Sequence, residues 1–254
     1  MYQEERLLEI LNYLEMNKRI SVEQICGLFQ VSRDTARRDL VKLEEEKKII
    51  RTRGGAILPS SRHEIKDYEN RLKMVSSEKK RIGQVAASLI QNGDRIILDT
   101  STTVQACAEH MDQVSCTVVT NSINQAELLS SNQNADILLL GGKLQKEHRF
   151  LYGTSVIDKL SQYQADKAFI GVVGLSVDGL TLAHEEDGMV KRKMISQADE
   201  VIVLADHTKI GVIEFFKFAE LSDIDILITD QMPEKGFTDL LKRFNVDLLI
   251  AEGE

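Results

Sequence analysis

The chain contains few of the residues that mark a secreted, metal-binding or membrane protein. Its three cysteines (Cys26, Cys107 and Cys116) are widely spaced and form no Cys-x-x-Cys pair, so we expect reduced thiols rather than disulfides or zinc ligands. Its five histidines show no His-x-x-x-His spacing, and we predict no metal site. No apolar run approaches the roughly 20 residues that a membrane span needs. Because the charged start of the chain also lacks a signal-peptide core, we expect a cytoplasmic protein.

Length and charge allow two domains and place a basic segment near the amino end. The 254 residues, 43% hydrophobic and 28% charged, are typical of a globular protein. The net charge is −8, but residues 1–58 hold 11 basic and 10 acidic side chains, against 21 and 30 in the remainder. Residues 31–53 alone hold eight basic and five acidic side chains. Such a segment is compatible with DNA binding, because phosphate contacts act over a short range at physiological salt.

The amino-terminal segment has the pattern of three short helices. Leucines at positions 7, 8, 11 and 14 recur at helical spacing and predict the first helix. Ser21, followed three residues later by Gln24, predicts a capping box that starts the second helix. Ser32 is a suitable N-cap for the third. Two short helices around a tight turn predict a helix-turn-helix, whose second helix enters the major groove of DNA.

A predicted hairpin after the third helix completes the pattern of a winged helix. Short apolar runs around Gly54-Gly55 predict two strands, with two arginines at the tip. The candidate DNA-binding residues, whose side chains can contact phosphate or base edges, are Ser32, Arg33, Thr35, Arg37, Arg38, Arg51 and Arg53. Plainer interpretations stay open: the helix can be a solvated face, Arg38 with Asp39 a surface charge pair, and the glycine pair only a type I′ turn.

A linker and an α/β domain are predicted for the rest of the chain. Residues 59–76 begin with a proline and a serine pair and carry many charges, which predicts a linker between a domain at 1–58 and a domain at 77–254. Helical patterns then alternate with apolar runs at 95–99, 116–120, 136–140, 167–173, 200–205, 225–229 and 246–250. This alternation predicts a doubly wound, mainly parallel sheet with helices on both faces.

Polar residues and glycines follow several of these strands, where ligands bind in such sheets. Residues 101–103 (Ser-Thr-Thr) lie between a strand and a helix, where hydroxyl and free N–H groups suit phosphate. Lys191 and Lys209 can add positive charge. Each feature also has a structural alternative, since Asp99 or Asn121 can simply cap a helix and Lys191 can lie on a solvated helix face.

Two further loops offer polar groups near the proposed ligand. Residues 184–186 (His-Glu-Glu) can supply carboxylates for sugar hydroxyls or for catalysis, although acidic loops are common on protein surfaces. His148-Arg149 is a second candidate ligand loop. Cys107 is most simply a small buried apolar residue.

Taken together, these motifs resemble the DeoR family of bacterial transcription regulators over nearly the whole chain. The matching segments are 32–40, 51–56, 93–94, 98–99, 102–103, 120–122, 140–142, 165–171 and 205–209. The resemblance implies a carboxy-terminal sensor domain similar to ribose-5-phosphate isomerase. It also implies repression of an operon for a sugar or related carbon source, relieved by a phosphorylated intermediate.

The same resemblance implies the residues of the sensor site. The phosphate loop would be formed by Asp99, Ser101, Thr102 and Thr103, and the rest of the pocket by Asn121, Gly141, Gly142, Lys191, Asp206 and Lys209. Two positions depart from the family pattern. Arg53 stands where histidine is common, which alters operator contacts, and Ser101 stands where glycine is common, which alters the approach of the backbone to phosphate.

The sequence therefore predicts a regulator with no cofactor and no catalytic residues. Its expected partners are double-stranded operator DNA, a phosphorylated sugar or related metabolite, and further copies of itself in a homo-oligomer. One alternative is a phosphosugar isomerase-like enzyme with an accessory DNA-binding domain. Another is an adaptor that presents the winged helix to a protein.

Overall fold

The computed structural model describes residues 3–17, 19–46, 48–52, 54–57 and 77–253. The chain divides into two compact units, Met1–Glu64 and Ile65–Glu254. The linker that we predicted at 59–76 lies outside the described residues, and the domain limits 1–58 and 77–254 stay predictions. Among the described residues, no helix combines the length and the apolarity needed to span a bilayer.

The described part of the amino-terminal unit contains three helices and a small sheet. Its elements are α1 (Gln3–Asn17), β1 (Arg19–Ser21), α2 (Val22–Phe29), α3 (Arg33–Glu45), β2 (Ile50–Thr52) and β3 (Gly55–Ile57). The three strands form an antiparallel sheet in the order β1-β3-β2. The capping box of Ser21 and Gln24 is confirmed, and Ser32 caps α3 by accepting from the Thr35 N–H. The helix-turn-helix and the hairpin are thus where the sequence predicts them, whereas β1 was not predicted.

Among the described residues of this unit, eleven buried apolar side chains form a core. They come from all three helices and from the sheet: Leu7, Ile10, Leu14, Ile20, Val22, Ile25, Ala36, Leu40, Leu43, Ile49 and Ala56. Because Ala36, Leu40 and Leu43 share one stripe of α3, the opposite side of that helix faces solvent. The turn before α3 passes through Gln30, which has a positive φ of 51° at the end of α2.

The strand pairing of the hairpin disagrees with the interpretation that Gly54 and Gly55 simply form a type I′ turn. Thr52 pairs with Gly55, so Gly55 belongs to β3 and not to the turn. Its φ is not positive. A Cβ at this position would lie only 2.0 Å from the carbonyl oxygen of Ile20, since β1 passes directly against it. Close approach of β1, rather than a type I′ turn, therefore requires glycine at position 55.

The carboxy-terminal unit is a seven-stranded parallel sheet with helices on both faces. Its helices are α4 (Ser77–Ser88), α5 (Thr102–Ala108), α6 (Ile123–Leu129), α7 (Thr154–Leu160), α8 (Glu185–Ile195) and α9 (Lys235–Arg243). Its strands are β4 (Arg95–Leu98), β5 (Cys116–Thr120), β6 (Ala135–Leu139), β7 (Lys143–Gln145), β8 (Phe150–Tyr152), β9 (Ala165–Gly171), β10 (Gly174–Ser176), β11 (Gly179–Leu182), β12 (Ala198–Leu204), β13 (Phe216–Ala219), β14 (Ile226–Thr229) and β15 (Asp247–Ile250).

The main sheet has the order β6-β5-β4-β9-β12-β14-β15, and every neighbouring pair is parallel. All seven apolar runs identified in the sequence form its strands, so the doubly wound fold is confirmed. The chain builds outward from β4 in one direction and then from β9 in the other. The point where the strand order reverses therefore lies between β4 and β9, which is where such folds bind ligands.

Two apolar layers cover the faces of this sheet. One contains Ile82 and Ala86 of α4 with Val104 and Cys107 of α5, and the other contains residues of α7, α8 and α9. Burial raises the pKa of the Cys107 thiol, as expected for a core residue without a redox role. Two smaller sheets, β7-β8 and β10-β11-β13, were not predicted and lie outside the main sheet.

Candidate functional site

The solvent-facing side of α3 carries a row of basic side chains. Arg33, Arg37 and Arg38 are exposed, whereas Thr35 is half-buried. The hydroxyls of Ser32 and Thr35 lie 2.9 Å apart at the start of the helix. This arrangement presents cations and hydroxyl groups along the first two turns of the helix, which suits contact with a DNA backbone and with base edges.

The arginines of this surface differ in their partners. Arg33 pairs with Glu23 at 3.0 Å and Arg51 with Glu44 at 3.5 Å, both at exposed positions. Within the described residues, no ion pair occupies Arg37 or Arg38. These two guanidinium groups are therefore the most available to an incoming phosphate or guanine. Arg53, the remaining predicted contact, lies outside the described residues.

Asp39 has a role that the sequence did not suggest. It is fully buried, so the interpretation of Arg38 and Asp39 as a surface pair is wrong. Its carboxylate instead accepts two hydrogen bonds from the Arg6 guanidinium, at 2.5 and 3.1 Å, and one from the Gln3 amide at 3.0 Å. Pairing with Asp39 raises the pKa of Arg6. The buried pair joins α1 to the core-facing side of α3. Arg38 points to solvent and does not pair with Asp39.

A pocket opens at the carboxyl edge of the main sheet, between β4 and β9. It holds about 380 Å³ of empty space, including the part that opens to solvent. The residues that line it come from four segments: Thr100, Ser101, His148, Phe150, Gly171, Val172, Val173, His184, Asp187 and Lys191. Its place at the reversal of strand order is the one expected for a ligand site in this fold.

A buried ion pair forms the base of this pocket. Lys191 reaches from α8 to a short contact with the carboxylate of Asp99, and its Nζ also donates to the Gly171 carbonyl at 2.7 Å. The same carboxylate accepts the N–H groups of Gly171 at 2.7 Å and Ser101 at 2.8 Å. Both side chains are at most 5% exposed. Asp99 thus joins the ends of β4 and β9 to α8 and fixes the ammonium group in place.

The loop after β4 packs tightly against the end of β9. The Ser101 side chain caps α5 by accepting from the Val104 N–H at 3.1 Å. A Cβ at Gly171 would lie 2.1 Å from the Ser101 hydroxyl oxygen, so only glycine leaves room for serine there. Serine in place of the family's common glycine is therefore accommodated by Gly171, and its hydroxyl lies at the pocket wall.

The other predicted sensor residues lie along the same edge but outside the pocket lining. Thr102 and Thr103 are buried at the start of α5, and the Thr102 hydroxyl accepts from Lys79 at 3.2 Å. Asn121 is buried after β5 and donates to the Leu151 carbonyl at 2.8 Å. Gly141 and Gly142 are exposed after β6, and Asp206 and Lys209 occupy the turn after β12. Only Ser101 and Lys191 of the predicted set line the pocket directly, with Asp99 immediately behind them.

Several lining residues were missed or only weakly singled out by the sequence. His148, on the loop between β7 and β8, is 4% exposed, and its ring centroid lies 5.3 Å from that of His184. His184 itself precedes α8 as its N-cap. The sequence indicates both histidines only as members of candidate ligand loops, beside Arg149 and beside Glu185 and Glu186. They line the same side of the pocket because the loop between β7 and β8 packs against the start of α8 in the folded structure.

A winged helix with exposed arginines in one unit and a pocket at the sheet edge of an α/β unit are together typical of a DNA-binding transcription regulator. The DeoR-like helix-turn-helix domain matches residues 6–62, and the DeoR C terminal sensor domain matches residues 75–231. The chain belongs to the DeoR family.

Two bacterial regulators are similar to this chain over nearly its whole length. The chain is 65% identical to the HTH-type transcriptional repressor GlcR of Bacillus subtilis, over 99% of this chain and 98% of that protein. It is 33% identical to a glycerol-3-phosphate regulon repressor of Haemophilus influenzae, over 100% and 99% of the two chains. A solved ribose-5-phosphate isomerase structure in complex with phospho-erythronic acid shares 18% identity and a TM-score of 0.39, over 52% of each chain.

Proposed function

We propose that this regulator represses a carbon-source operon by binding operator DNA through α3. A phosphorylated metabolite bound in the β4–β9 pocket controls this binding. The proposal rests on the presence of two features in the same chain. In the amino-terminal unit, an arginine surface faces solvent, and its Arg37 and Arg38 have no ion-pair partner among the described residues. In the carboxy-terminal unit, a pocket with a buried ammonium group lies at the carboxyl edge of the main sheet.

The exposed side of α3 is the proposed DNA-reading surface. Arg37 and Arg38 are the primary contacts, because their guanidinium groups are exposed and carry no carboxylate partner among the described residues. Arg33 and Arg51 would exchange their exposed carboxylate partners for phosphate. Ser32, Thr35 and Arg53 are proposed as further backbone contacts.

Binding to the DNA upstream of the chain's own gene tests this surface. Fluorescence anisotropy should show steeply salt-dependent affinity for the wild type. Arg38→Ala or Arg37→Ala should weaken binding by about 1–3 kcal/mol if the residue reads a base, or lower the salt slope by about one if it holds a phosphate. Arg243→Ala, at an exposed position on α9, is the matched control and should bind like the wild type. Unchanged affinity in both α3 variants would refute the assignment.

The pocket suits a small anionic metabolite. Lys191 supplies a buried ammonium group, and the Ser101 hydroxyl and the backbone beyond β9 supply neutral hydrogen-bonding groups. Relatives named for the repression of a glycerol-3-phosphate regulon support a phosphorylated carbon-source metabolite. The remaining proposed contacts are Asp99, Thr102, Thr103, Asn121, Gly141, Gly142, Asp206 and Lys209.

A thermal-shift panel of sugar phosphates and glycerol phosphates tests the pocket. A ligand that binds only the folded state raises the unfolding temperature with concentration. We expect at least one phosphorylated compound to do so, and its unphosphorylated parent to have no effect. Ser130→Ala, at an exposed position at the end of α6, should respond like the wild type, whereas Lys191→Gln should lose the response. No shift with any phosphorylated compound would argue against this sensor function.

A homo-oligomer is the proposed functional form. Symmetric regulators of this kind place two winged helices on repeated half-sites, which requires at least two copies. Sedimentation velocity of the free protein and of its operator complex tests this, and a single copy on the DNA would contradict it.

A further inference from the structure

One edge of the main sheet is open and apolar. β6 is the last strand on that side, and among the described strands it pairs with β5 alone. Leu138 and Leu139 are 40% and 46% exposed there. At the opposite edge, no residue of the described strand β15 is a large exposed hydrophobic side chain. Proteins usually protect an edge strand with lysine, proline or a bulge, and the five residues of β6 include none of these.

The backbone of β6 presents a row of hydrogen-bonding groups along this edge. Where the ladder with β5 ends, the Leu140 N–H donates to the Thr120 carbonyl at 2.8 Å. Because successive residues of a strand point to alternate sides, the N–H and C=O groups of Ile137 and Leu139 point away from β5. None of these four groups has a hydrogen-bond partner among the described residues. Another β-strand satisfies all four at once, so an extended segment is the occupant that fits this edge.

The sequence of this edge is complementary to itself. In an antiparallel pairing of two copies centred on Leu138, Ile137 of each copy lies opposite Leu139 of the other and exchanges two hydrogen bonds with it. Leu138 then faces its counterpart on the two-fold axis, so all three opposed pairs are apolar. A two-fold axis requires such a match, because both copies present the same surface.

The acidic residue of β6 selects this register. Asp136 is exposed beside the apolar triplet. With the axis at Leu138, the two Asp136 carboxylates lie four residues apart along the strands, which is about 13 Å. With the axis at Ile137, they become diagonal neighbours about 7–8 Å apart, within about one Debye length at physiological salt. Repulsion between the carboxylates therefore disfavours the second register.

We propose that β6 is a dimer contact of the sensor unit, to which a second copy of this chain adds its own β6 in antiparallel orientation. Four main-chain hydrogen bonds and the symmetric contact of Leu138 then join two seven-stranded sheets into one continuous sheet. This rests on the homo-oligomer proposed above and names a surface that forms it.

Sedimentation velocity of the full chain without DNA tests this surface. Leu138→Asp places two carboxylates opposite each other on the two-fold axis and should halve the mass observed for the wild type at the same concentration. Phe244→Asp is the matched control, because Phe244 is 42% exposed at the end of α9, next to the opposite edge strand in the chain. It should keep the wild-type mass. Circular dichroism and thermal unfolding check that both variants fold.

A cysteine at position 138 tests the register without adding a charge. Opposite residues of a non-hydrogen-bonded antiparallel pair have Cα atoms about 4.5 Å apart, within the range that a disulfide spans. Under mild oxidation at low protein concentration, Leu138→Cys should give a covalent dimer on a non-reducing gel, and a reductant should reverse it. Phe244→Cys and the wild type, whose Cys107 and Cys116 are buried, should give none.

The outcomes separate this contact from oligomerisation in general. Half the wild-type mass for Leu138→Asp, together with a covalent dimer for Leu138→Cys, supports the proposal. If the wild type is oligomeric but Leu138→Asp keeps its mass, or Leu138→Cys forms no covalent dimer, the proposal is overturned while the homo-oligomer stands. That result is also expected if another segment of the same chain covers β6. A wild type that sediments as a single copy at every concentration overturns both.

Discussion

Removing the guanidinium group of Arg6 should loosen the DNA-reading helix although Arg6 lies on another helix. The Asp39 side chain is 0% exposed and that of Arg6 is 8% exposed. Arg6→Met therefore leaves a carboxylate in the core, with the Gln3 amide as its remaining hydrogen-bond partner among the described residues. Breaking a buried pair by removing one member costs about 3–5 kcal/mol. Since small domains are stable by only about 5–15 kcal/mol, much of the stability of this unit should disappear.

Hydrogen exchange of the full chain, read in peptides from α1 and α3, measures this loss locally. At roughly 1.4 kcal/mol per tenfold, protection in α3 should fall by about two to three and a half orders of magnitude. The sensor unit should keep its protection. Arg33→Met, on α3, is the matched control, because the pair of Arg33 with Glu23 is 68% and 63% exposed and should contribute less than about 1 kcal/mol.

A double variant distinguishes the buried charge from a packing defect. In Arg6→Met/Asp39→Leu the uncompensated carboxylate is gone, and apolar replacements of buried pairs are often neutral or stabilising. Protection in α3 should therefore return most of the way to the wild type. Protection in Arg6→Met within about threefold of the wild type, or no recovery in the double variant, would refute the reasoning.

Two further predictions concern a glycine contact and a carboxylate. Gly55→Ala should destabilise the winged helix by about 1–3 kcal/mol, because the new Cβ would lie 2.0 Å from the Ile20 carbonyl oxygen, whereas Gly27→Ala in α2 meets nothing and should stabilise by about 0.5–1 kcal/mol. Thermal unfolding checks both signs. Hydrogen bonds from Arg95 lower the pKa of Asp166 to about 2, so Arg95→Gln should raise it in a carboxyl NMR titration. The stabilisation by this pair should be complete above about pH 4 and fade as the pH falls towards 2; an unchanged pKa would contradict the pairing.

The features that the sequence predicted correctly are those with a local cause. Each strand of the main sheet is a short apolar run bounded by polar or turn residues, which identifies it without knowledge of its neighbours. Ser21 and Ser32 predict where their helices begin, because an N-cap side chain bonds to a backbone N–H only two or three residues later. The parallel order of the sheet follows from the alternation of helices and strands.

The features that it did not predict depend on residues far apart in the chain. Asp39 looked like a surface charge because its partner, Arg6, lies 33 residues away. β1 is only three residues long and exists by pairing with β3. The wall formed by His148 and His184 requires the loop after β7 to meet the start of α8, and no local pattern encodes that meeting.

Part of the sensor site could be predicted because the fold itself concentrates ligands at one sheet edge. Ser101 was identified from that edge and Lys191 as a positive charge for an anionic ligand, and both line the pocket. Asp206 and Lys209 were identified by the same reasoning but lie after β12, one strand further from the reversal of strand order. A position at the carboxyl edge of the sheet therefore identifies candidate ligand-binding residues. The packing of the surrounding loops and helices decides which of them line the pocket.

The most direct test of the account is the operator affinity of the full chain with and without the phosphorylated compound that stabilises it most. Wild-type affinity should change at least fivefold on addition of the compound, the lower end of ordinary allosteric coupling. Lys191→Gln, checked for an intact fold by circular dichroism, should bind the operator normally but ignore the compound. Two results would contradict the claim that this pocket controls the binding of α3 to DNA. One is a wild-type operator affinity that does not change when the compound is added, and the other is an equal change in the wild type and in Lys191→Gln.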